Sequence, residues 1–126
     1  MKKAINTNKA PLPVGPYNQA VLVDKTLYIS GQVALNPANN ELIQGSIDEE
    51  SHQIMKNIES ILKEVGLDFK NIVRSKIYLT DMNNFSKVNQ VYGSYFEKNY
   101  EPARTTLEVS GLPLGVDVEI DMIAVV

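Results

Sequence analysis

Apolar and polar side chains alternate in short runs along much of this chain, while two other stretches repeat apolar residues every three or four positions. The alternating runs have the two-residue period of β-strands and cover about residues 3–6, 17–23, 26–30, 72–80, 104–109 and 117–125. Asp24-Lys25 separates the second run from the third, which predicts a tight hairpin. Residues 35–45 contain Asn-Pro and Asn-Asn, which predicts an irregular loop.

Two amphipathic helices are predicted between these strands. The first begins at a capping box, Ser46-Ile47-Asp48-Glu49, and stops at Gly66. The second covers about residues 84–98, and its apolar stripe consists of Phe85, Val88, Val91, Tyr92, Tyr95 and Phe96. Two such helices suffice to cover one face of a mixed sheet. The order β-β-β-α-β-α-β-β therefore predicts one two-layer α+β domain over residues 1–126.

The last two strands place charge at alternate positions. Arg104, Thr106 and Glu108 share one face of their strand, and Asp117, Glu119 and Asp121 share the polar face of the next. Because a Gly-Leu-Pro turn joins the two runs, we predict a hairpin whose charged face lets Arg104 and Glu119 reach one small anion. The sheet face away from the helices would then be charged, either solvated or in contact with other subunits, and would carry Arg74, Lys76, Tyr78, Arg104, Glu108, Glu119 and Asp121.

Composition excludes several classes of chemistry. The 126 residues have a net charge of −3 and no Lys/Arg cluster longer than Lys2-Lys3, which weighs against nucleic acids and anionic membranes as partners. The absence of cysteine excludes disulfides, thiolate metal sites and thiol nucleophiles, and a single histidine, His52, leaves no Ser-His-Asp arrangement or His-rich metal cluster. No signal peptide or membrane-spanning run is recognisable, so we expect a soluble cytoplasmic protein.

Two charged residues are candidates for chemistry, and each also has a structural interpretation. Arg104 could present two N–H donors to a carboxylate, or it could form a salt bridge with Glu108 or Glu119; the residues alone leave these about even. Glu119 could hold or deprotonate a water beside a bound anion, or it could pair with a cation on a neighbouring strand. The residues alone favour the structural interpretation of Glu119.

Three segments of the chain resemble the RidA/YjgF/UK114 family. They are Ala10-Pro11-Leu12-Pro13-Val14-Gly15-Pro16-Tyr17-Asn18-Gln19-Ala20, then Tyr28-Ile29-Ser30-Gly31-Gln32, and finally Pro102-Ala103-Arg104 with the later Val118-Glu119-Ile120. The resemblance covers nearly the whole chain. Two positions depart from it: Thr105 stands where the family usually has a small or apolar residue, and Thr106 stands where many members have cysteine.

The resemblance implies a fold, an assembly and an activity. Members have a chorismate-mutase-like fold and form homotrimers with sites in the clefts between subunits. They act as enamine/imine deaminases, hydrolysing small 2-imino acids such as 2-iminobutanoate and 2-iminopropanoate to 2-oxo acids and ammonia. By this resemblance Arg104 binds the substrate carboxylate and Glu119 holds the attacking water, with no metal and no organic cofactor.

The resemblance also suggests roles around these two residues. Thr106 corresponds to a residue whose backbone lines the family's site, and Asn89 matches a helix asparagine near it. Tyr17 could place its phenol over the ligand, and Gly31 could allow the backbone to approach it closely. Ser30 and Gln32 are weaker candidates. The structural alternatives are a packed tyrosine, a strand-end glycine and a solvent-facing asparagine.

Three other functions stay open at this point. A non-catalytic trimer could sense 2-oxo acids or related carboxylates with Arg104 and make no use of Glu119. A ribonuclease or translation inhibitor is a role attached to some family members, but the acidic charge and the lack of a histidine pair weigh against it. Chorismate mutase activity is suggested by fold analogy alone, which is weak support.

Overall fold

The computed structural model describes all residues, 1–126, as one six-stranded mixed sheet with two helices on one of its faces. Its elements are β1 (Lys2–Ile5), β2 (Ala20–Val23), β3 (Thr26–Gln32), α1 (Ile47–Glu64), β4 (Ile72–Leu79), α2 (Phe85–Gly93), β5 (Ala103–Glu108) and β6 (Val118–Val125). The element order is the predicted one. The prediction of a two-layer α+β fold is therefore confirmed.

The strand order in the sheet is β1-β2-β3-β6-β4-β5, and only β4 and β5 run parallel. The predicted hairpin of β2 and β3 forms, with Asp24 at φ 51° in the turn. The predicted hairpin of β5 and β6 is wrong, because β4 lies between them. Helix α2 connects β4 to β5, so the chain returns in the same direction and β5 pairs parallel at the sheet edge. Strand β6 buries every second side chain and occupies the middle of the sheet.

This strand order also corrects the predicted charged face. Arg104 lies in register with Ser75, and Glu108 with Leu79, so both occupy the face that the helices cover. Glu119 is paired with Tyr78 on the opposite face, which we call the open face. Alternation within a strand makes Arg104 and Glu108 share a face, but the register with the next strand decides which face it is. The open face therefore carries Arg74, Lys76, Tyr78, Glu119 and Asp121, but not Arg104 or Glu108.

The core lies between the helices and the covered sheet face. Helix α1 begins where the Ser46 hydroxyl accepts the backbone N–H of Glu49 (3.1 Å), which is one half of the predicted capping box. It stops before Gly66, whose φ is 73°. Its apolar stripe packs on β3 and β6. The fully buried side chains of the core include Leu27, Ile54, Met55, Ile58, Ile61, Leu62, Ile77, Leu79, Ile120 and Met122.

Helix α2 is shorter than predicted: it ends at Gly93, whereas the prediction placed its end near residue 98. Glycine lowers helix stability by about 1 kcal/mol relative to alanine, so it favours an end at this point. Tyr95 and Phe96 lie beyond the helix but still pack against Phe69, each with ring centroids 5.4 Å from it. Neither helix combines the length and the apolar composition that crossing a membrane requires.

Candidate active site

The predicted site residues fall into two groups on opposite faces of the sheet. The Arg104 half-site, under α2 at the edge strand β5, consists of Asn89, Arg104 and Thr106. The Glu119 half-site, on the open face where β3 meets β6, consists of Tyr17, Ser30, Gly31 and Glu119. Three residues along the strands and two strand spacings separate the Cα atoms of Arg104 and Glu119, or about 14 Å. Within one chain the two side chains do not converge.

The Arg104 guanidinium is held by polar and aromatic neighbours. Its Nη1 donates a hydrogen bond to Oδ1 of Asn89 (2.6 Å). Its Cζ lies 5.4 Å from the ring centroid of Phe85 and 5.2 Å from that of Tyr92. Asn89, Phe85 and Tyr92 all belong to α2, so this helix sets the position of the charge.

No carboxylate pairs with Arg104. The ion pairs of the chain are Lys63 with Glu59 and Lys70 with Glu97. Glu108, one of the two predicted partners, instead accepts the backbone N–H of Met82 at 2.7 Å. The other, Glu119, lies on the opposite face. The salt-bridge interpretation of Arg104 is therefore wrong, and most of its N–H donors are available to an external anion.

Thr106 adds a hydroxyl to the same half-site. Its Oγ1 is buried and has no hydrogen-bond partner. Leaving a buried hydroxyl unpaired costs roughly 1–3 kcal/mol, so such atoms call for an explanation. Strand β5 is also a sheet edge, which leaves backbone N–H and C=O groups free on its outer side. The half-site therefore places a fixed cation and unpaired backbone groups side by side, next to a buried hydroxyl without a partner.

The Glu119 half-site is built around a close approach to Gly31. A Cβ atom at residue 31 would stand 2.7 Å from Oε2 of Glu119 and 2.8 Å from its Cδ. The register of β3 with β6 shifts between Ile29 and Gln32, a bulge that re-aims the strand at this point. From the sequence, Gly31 was predicted to let the backbone approach a ligand closely. In the structure, the Glu119 side chain occupies that space.

Two effects raise the pKa of Glu119. Burial of the carboxyl group is the larger, and repulsion from the neighbouring Asp121 carboxylate is the second. Asp121 in turn accepts a hydrogen bond from the Tyr78 hydroxyl (3.0 Å). A carboxyl group with a raised pKa is a stronger base when ionised and exchanges protons closer to neutral pH, which suits it to move a proton to and from water.

Tyr17 and Ser30 complete this half-site. The Tyr17 side chain is 49% exposed and, with Gly31, lines a cavity of about 40 Å³, enough for about one water molecule. Ser30 donates its hydroxyl to the carbonyl of Asn18 (2.6 Å) and so fixes the segment that carries Tyr17. Gln32 is buried and donates to the Ser30 carbonyl. Neither Arg104 nor Glu119 lines this small cavity or the larger surface cavities of about 280 and 520 Å³.

Three neighbours of these residues were missed at the sequence level. Phe85 and Tyr92 were assigned to the apolar stripe of α2, and Asp121 had nothing to separate it from a solvated strand face. The signal for the first two was their spacing from Asn89, four residues before and three after, which puts all three on one side of the helix. The signal for Asp121 was its position two residues after Glu119.

Comparisons with known proteins agree over nearly the full length. A family model described as Endoribonuclease L-PSP matches residues 7–126. A mouse (Mus musculus) protein named 2-iminobutanoate/2-iminopropanoate deaminase is 49% identical over 125 residues, 99% of this chain and 92% of that protein. The crystal structure of YyfA, a Yersinia pestis protein of unknown function from the conserved Rid family, superimposes with a TM-score of 0.97 at 42% identity, covering 100% of both chains. Escherichia coli TdcF with bound serine gives a TM-score of 0.93 at 31% identity, covering 98% of each chain.

Proposed function

The chain belongs to the endoribonuclease L-PSP family, the RidA/YjgF/UK114 group, and we propose that it is an enamine/imine deaminase. The substrates are small 2-imino acids, 2-iminobutanoate and 2-iminopropanoate, which it hydrolyses to 2-oxo acids and ammonia. The name of the mouse relative supports this activity. The observation in this chain that carries the proposal is the Arg104 guanidinium, which is fixed in place without a carboxylate partner. Such a group suits the carboxylate of a 2-imino acid.

The reaction needs a cation for the carboxylate and a base for water. Arg104 and Glu119 have these properties, but they lie about 14 Å apart on opposite faces of the sheet. A small 2-imino acid cannot contact both within one chain. A complete site therefore combines the Arg104 half-site of one subunit with the Glu119 half-site of another.

The positions of the half-sites support an assembly of several subunits. A contact between two different surfaces of the same chain is heterologous, and repeating it around an axis closes a ring. The resemblance to the family implies three subunits, so we propose a homotrimer with sites between subunits. The open face supports this assembly. It exposes Tyr28, Val73 and Leu107 by 49, 47 and 45%, and a neighbouring subunit would cover such apolar side chains.

The hydrolysis proceeds by addition of water and loss of ammonia. Arg104 holds the substrate carboxylate, and the carboxylate of Glu119 takes a proton from water as its oxygen bonds to the imine carbon. Glu119 then returns that proton to the nitrogen, which gives a carbinolamine with one OH and one NH2 group. Glu119 next takes the hydroxyl proton and passes it to the nitrogen, so the C–N bond breaks, the C=O bond forms and ammonia leaves. Thr106 and the free backbone of β5 line the ligand next to Arg104, and Tyr17 covers it. Because these imines already hydrolyse in water, orientation and proton transfer suffice, and the scheme uses no metal or organic cofactor.

The test is a coupled assay on the parent and a Glu119→Gln variant. A threonine dehydratase generates 2-iminobutanoate, and loss of the imine is followed with and without this protein. Glu119→Gln should keep calorimetric binding of 2-oxobutanoate through Arg104 but slow imine hydrolysis about 100-fold, the usual loss on removing a general acid or base. A non-catalytic sensor shows binding and no turnover in either protein. Turnover at the parental rate in a folded Glu119→Gln protein would contradict the mechanism.

The ribonuclease alternative fits the chain less well. The net charge is −3, and the single histidine, His52, lies on α1 with its Nδ1 3.0 Å from the Tyr95 hydroxyl. It belongs to neither half-site, and an anionic protein attracts RNA poorly. Incubation of the parent with RNA should therefore leave the RNA intact. A cytoplasmic location stays a prediction that cell fractionation would check.

A further inference from the structure

We infer that Phe85 and Tyr92 are positioning residues, which hold the Arg104 guanidinium ready for the substrate carboxylate. The inference rests on the proposed deaminase function and adds two residues to its site. Both rings belong to α2, and the guanidinium carbon lies 5.4 Å from the centroid of the first and 5.2 Å from that of the second. These distances are within the range of cation–π attraction.

Aromatic faces stabilise the charge without using its hydrogen-bond donors. A guanidinium has five N–H groups, and Asn89 accepts one of them. A carboxylate partner would occupy two more in a bidentate contact and would compete with the substrate. The rings attract the charge through their π electrons instead. Arg104 is thereby held in place, while the N–H donors that form a bidentate contact with a carboxylate stay available to the substrate.

The Tyr92 ring is itself fixed in place. Its side chain is 5% exposed, and its hydroxyl donates to Oγ of Ser75 at 2.9 Å. Ser75 is fully buried on β4, directly in register with Arg104. Burial raises the pKa of the Tyr92 phenol, so the hydroxyl remains a donor at neutral pH. The hydrogen bond therefore ties α2 to the sheet beside the strand position that carries the guanidinium.

The kinetic signature of this role follows from the chemistry. The substrate carboxylate keeps its charge from substrate to product, so its contact with Arg104 is equally strong in the ground state and the transition state. A guanidinium that samples other positions is competent for only part of the time, which weakens apparent binding. Loss of a ring should therefore raise KM while leaving kcat unchanged.

The experiment compares ring loss with ring retention in the full chain. Phe85→Leu and Tyr92→Leu should each raise KM for 2-iminobutanoate and the Kd for 2-oxobutanoate by about 3- to 30-fold, with kcat within about 2-fold of the parent. Phe85→Tyr keeps a ring and should restore the parental KM. Tyr92→Phe keeps the ring but loses the hydrogen bond to Ser75. It should therefore lower the melting temperature while raising KM less than Tyr92→Leu does.

Tyr95→Leu is the matched control. Tyr95 is a half-buried aromatic residue that packs on Phe69 and His52 instead of Arg104, so its loss should lower the melting temperature without changing KM. An equal rise in KM for Tyr95→Leu, or a parental KM and Kd for folded Phe85→Leu, would overturn the inference. If Tyr92→Leu does not fold, the KM and Kd values of Phe85→Leu and Phe85→Tyr still show whether the inference holds. If the parent binds 2-oxobutanoate but hydrolyses no imine, the proposed function fails, while the Kd values still test the positioning. No binding by the parent overturns both.

Discussion

Gly31→Ala should displace the proposed base without disturbing the fold. The φ angle of Gly31 is not positive, so its backbone accepts an alanine. The new methyl group would stand 2.7 Å from Oε2 and 2.8 Å from Cδ of Glu119, whereas ordinary contact begins at 3.4 Å. The carboxylate must therefore move by about 0.7 Å or more. Since it ends a flexible side chain, the carboxylate moves and the strands do not.

The expected losses differ sharply between stability and activity. A side chain forced off its rotamer costs roughly 0.5–1.5 kcal/mol. The reduced freedom of the unfolded chain on replacing glycine by alanine offsets about 0.4–1 kcal/mol of that cost. The melting temperature should thus change little. A misplacement of about 1 Å, however, can lower a catalysed rate about 100-fold, so we expect kcat to fall by about 10- to 100-fold.

The coupled imine assay and a thermal melt check this prediction. Gly111→Ala is the matched control, because a methyl group there has no atom within 4 Å and should leave the rate unchanged. If Gly31→Ala acts through Glu119, the double variant Gly31→Ala/Glu119→Gln should be no slower than Glu119→Gln alone. A parental kcat in folded Gly31→Ala, or rate losses that multiply in the double variant, would refute the reasoning.

Three further predictions concern binding, assembly and pH. Arg104→Lys should weaken 2-oxobutanoate binding by about 10-fold or more with little change in melting temperature, because lysine loses the bidentate contact; equal binding in calorimetry would exclude the clamp. Light scattering should give about three times the chain mass of 14.0 kDa, and a monodisperse monomer at micromolar concentration would exclude the shared site. Burial and the nearby Asp117 raise the pKa of Glu50 to about 6. Between the ordinary pKa of 4.5 and this raised value, the folded chain keeps a proton that the unfolded chain has released, so stability falls as the pH rises from about 4.5 through about 6 and then levels off. The melting temperature of Glu50→Gln should be above that of the parent at pH 7.5 and close to it at pH 4.5. A parent that melts above Glu50→Gln at pH 7.5 would contradict this prediction.

Features that depend on neighbouring residues could be predicted from the sequence. The cap at Ser46, the helix stop at Gly66 and the turn at Asp24-Lys25 all form as expected, because a few adjacent backbone groups determine each of them. The alternation in β6, and in β4 from Arg74 to Leu79, likewise identified which side chains share a face. Resemblance to a family pointed to Arg104 and Glu119 as the residues to examine.

The arrangement of these residues in space was decided by the tertiary structure. Whether β5 pairs with β4 or with β6 depends on the packing of α2 and on burial across the whole sheet, and no local pattern encodes that balance. The pairing with β4 puts Arg104 under α2, between Phe85 and Tyr92, and on the opposite face from Glu119. Side-chain alternation has a period of two, so it relates residues within one strand but leaves open which face they occupy until the strand's partner and register are set.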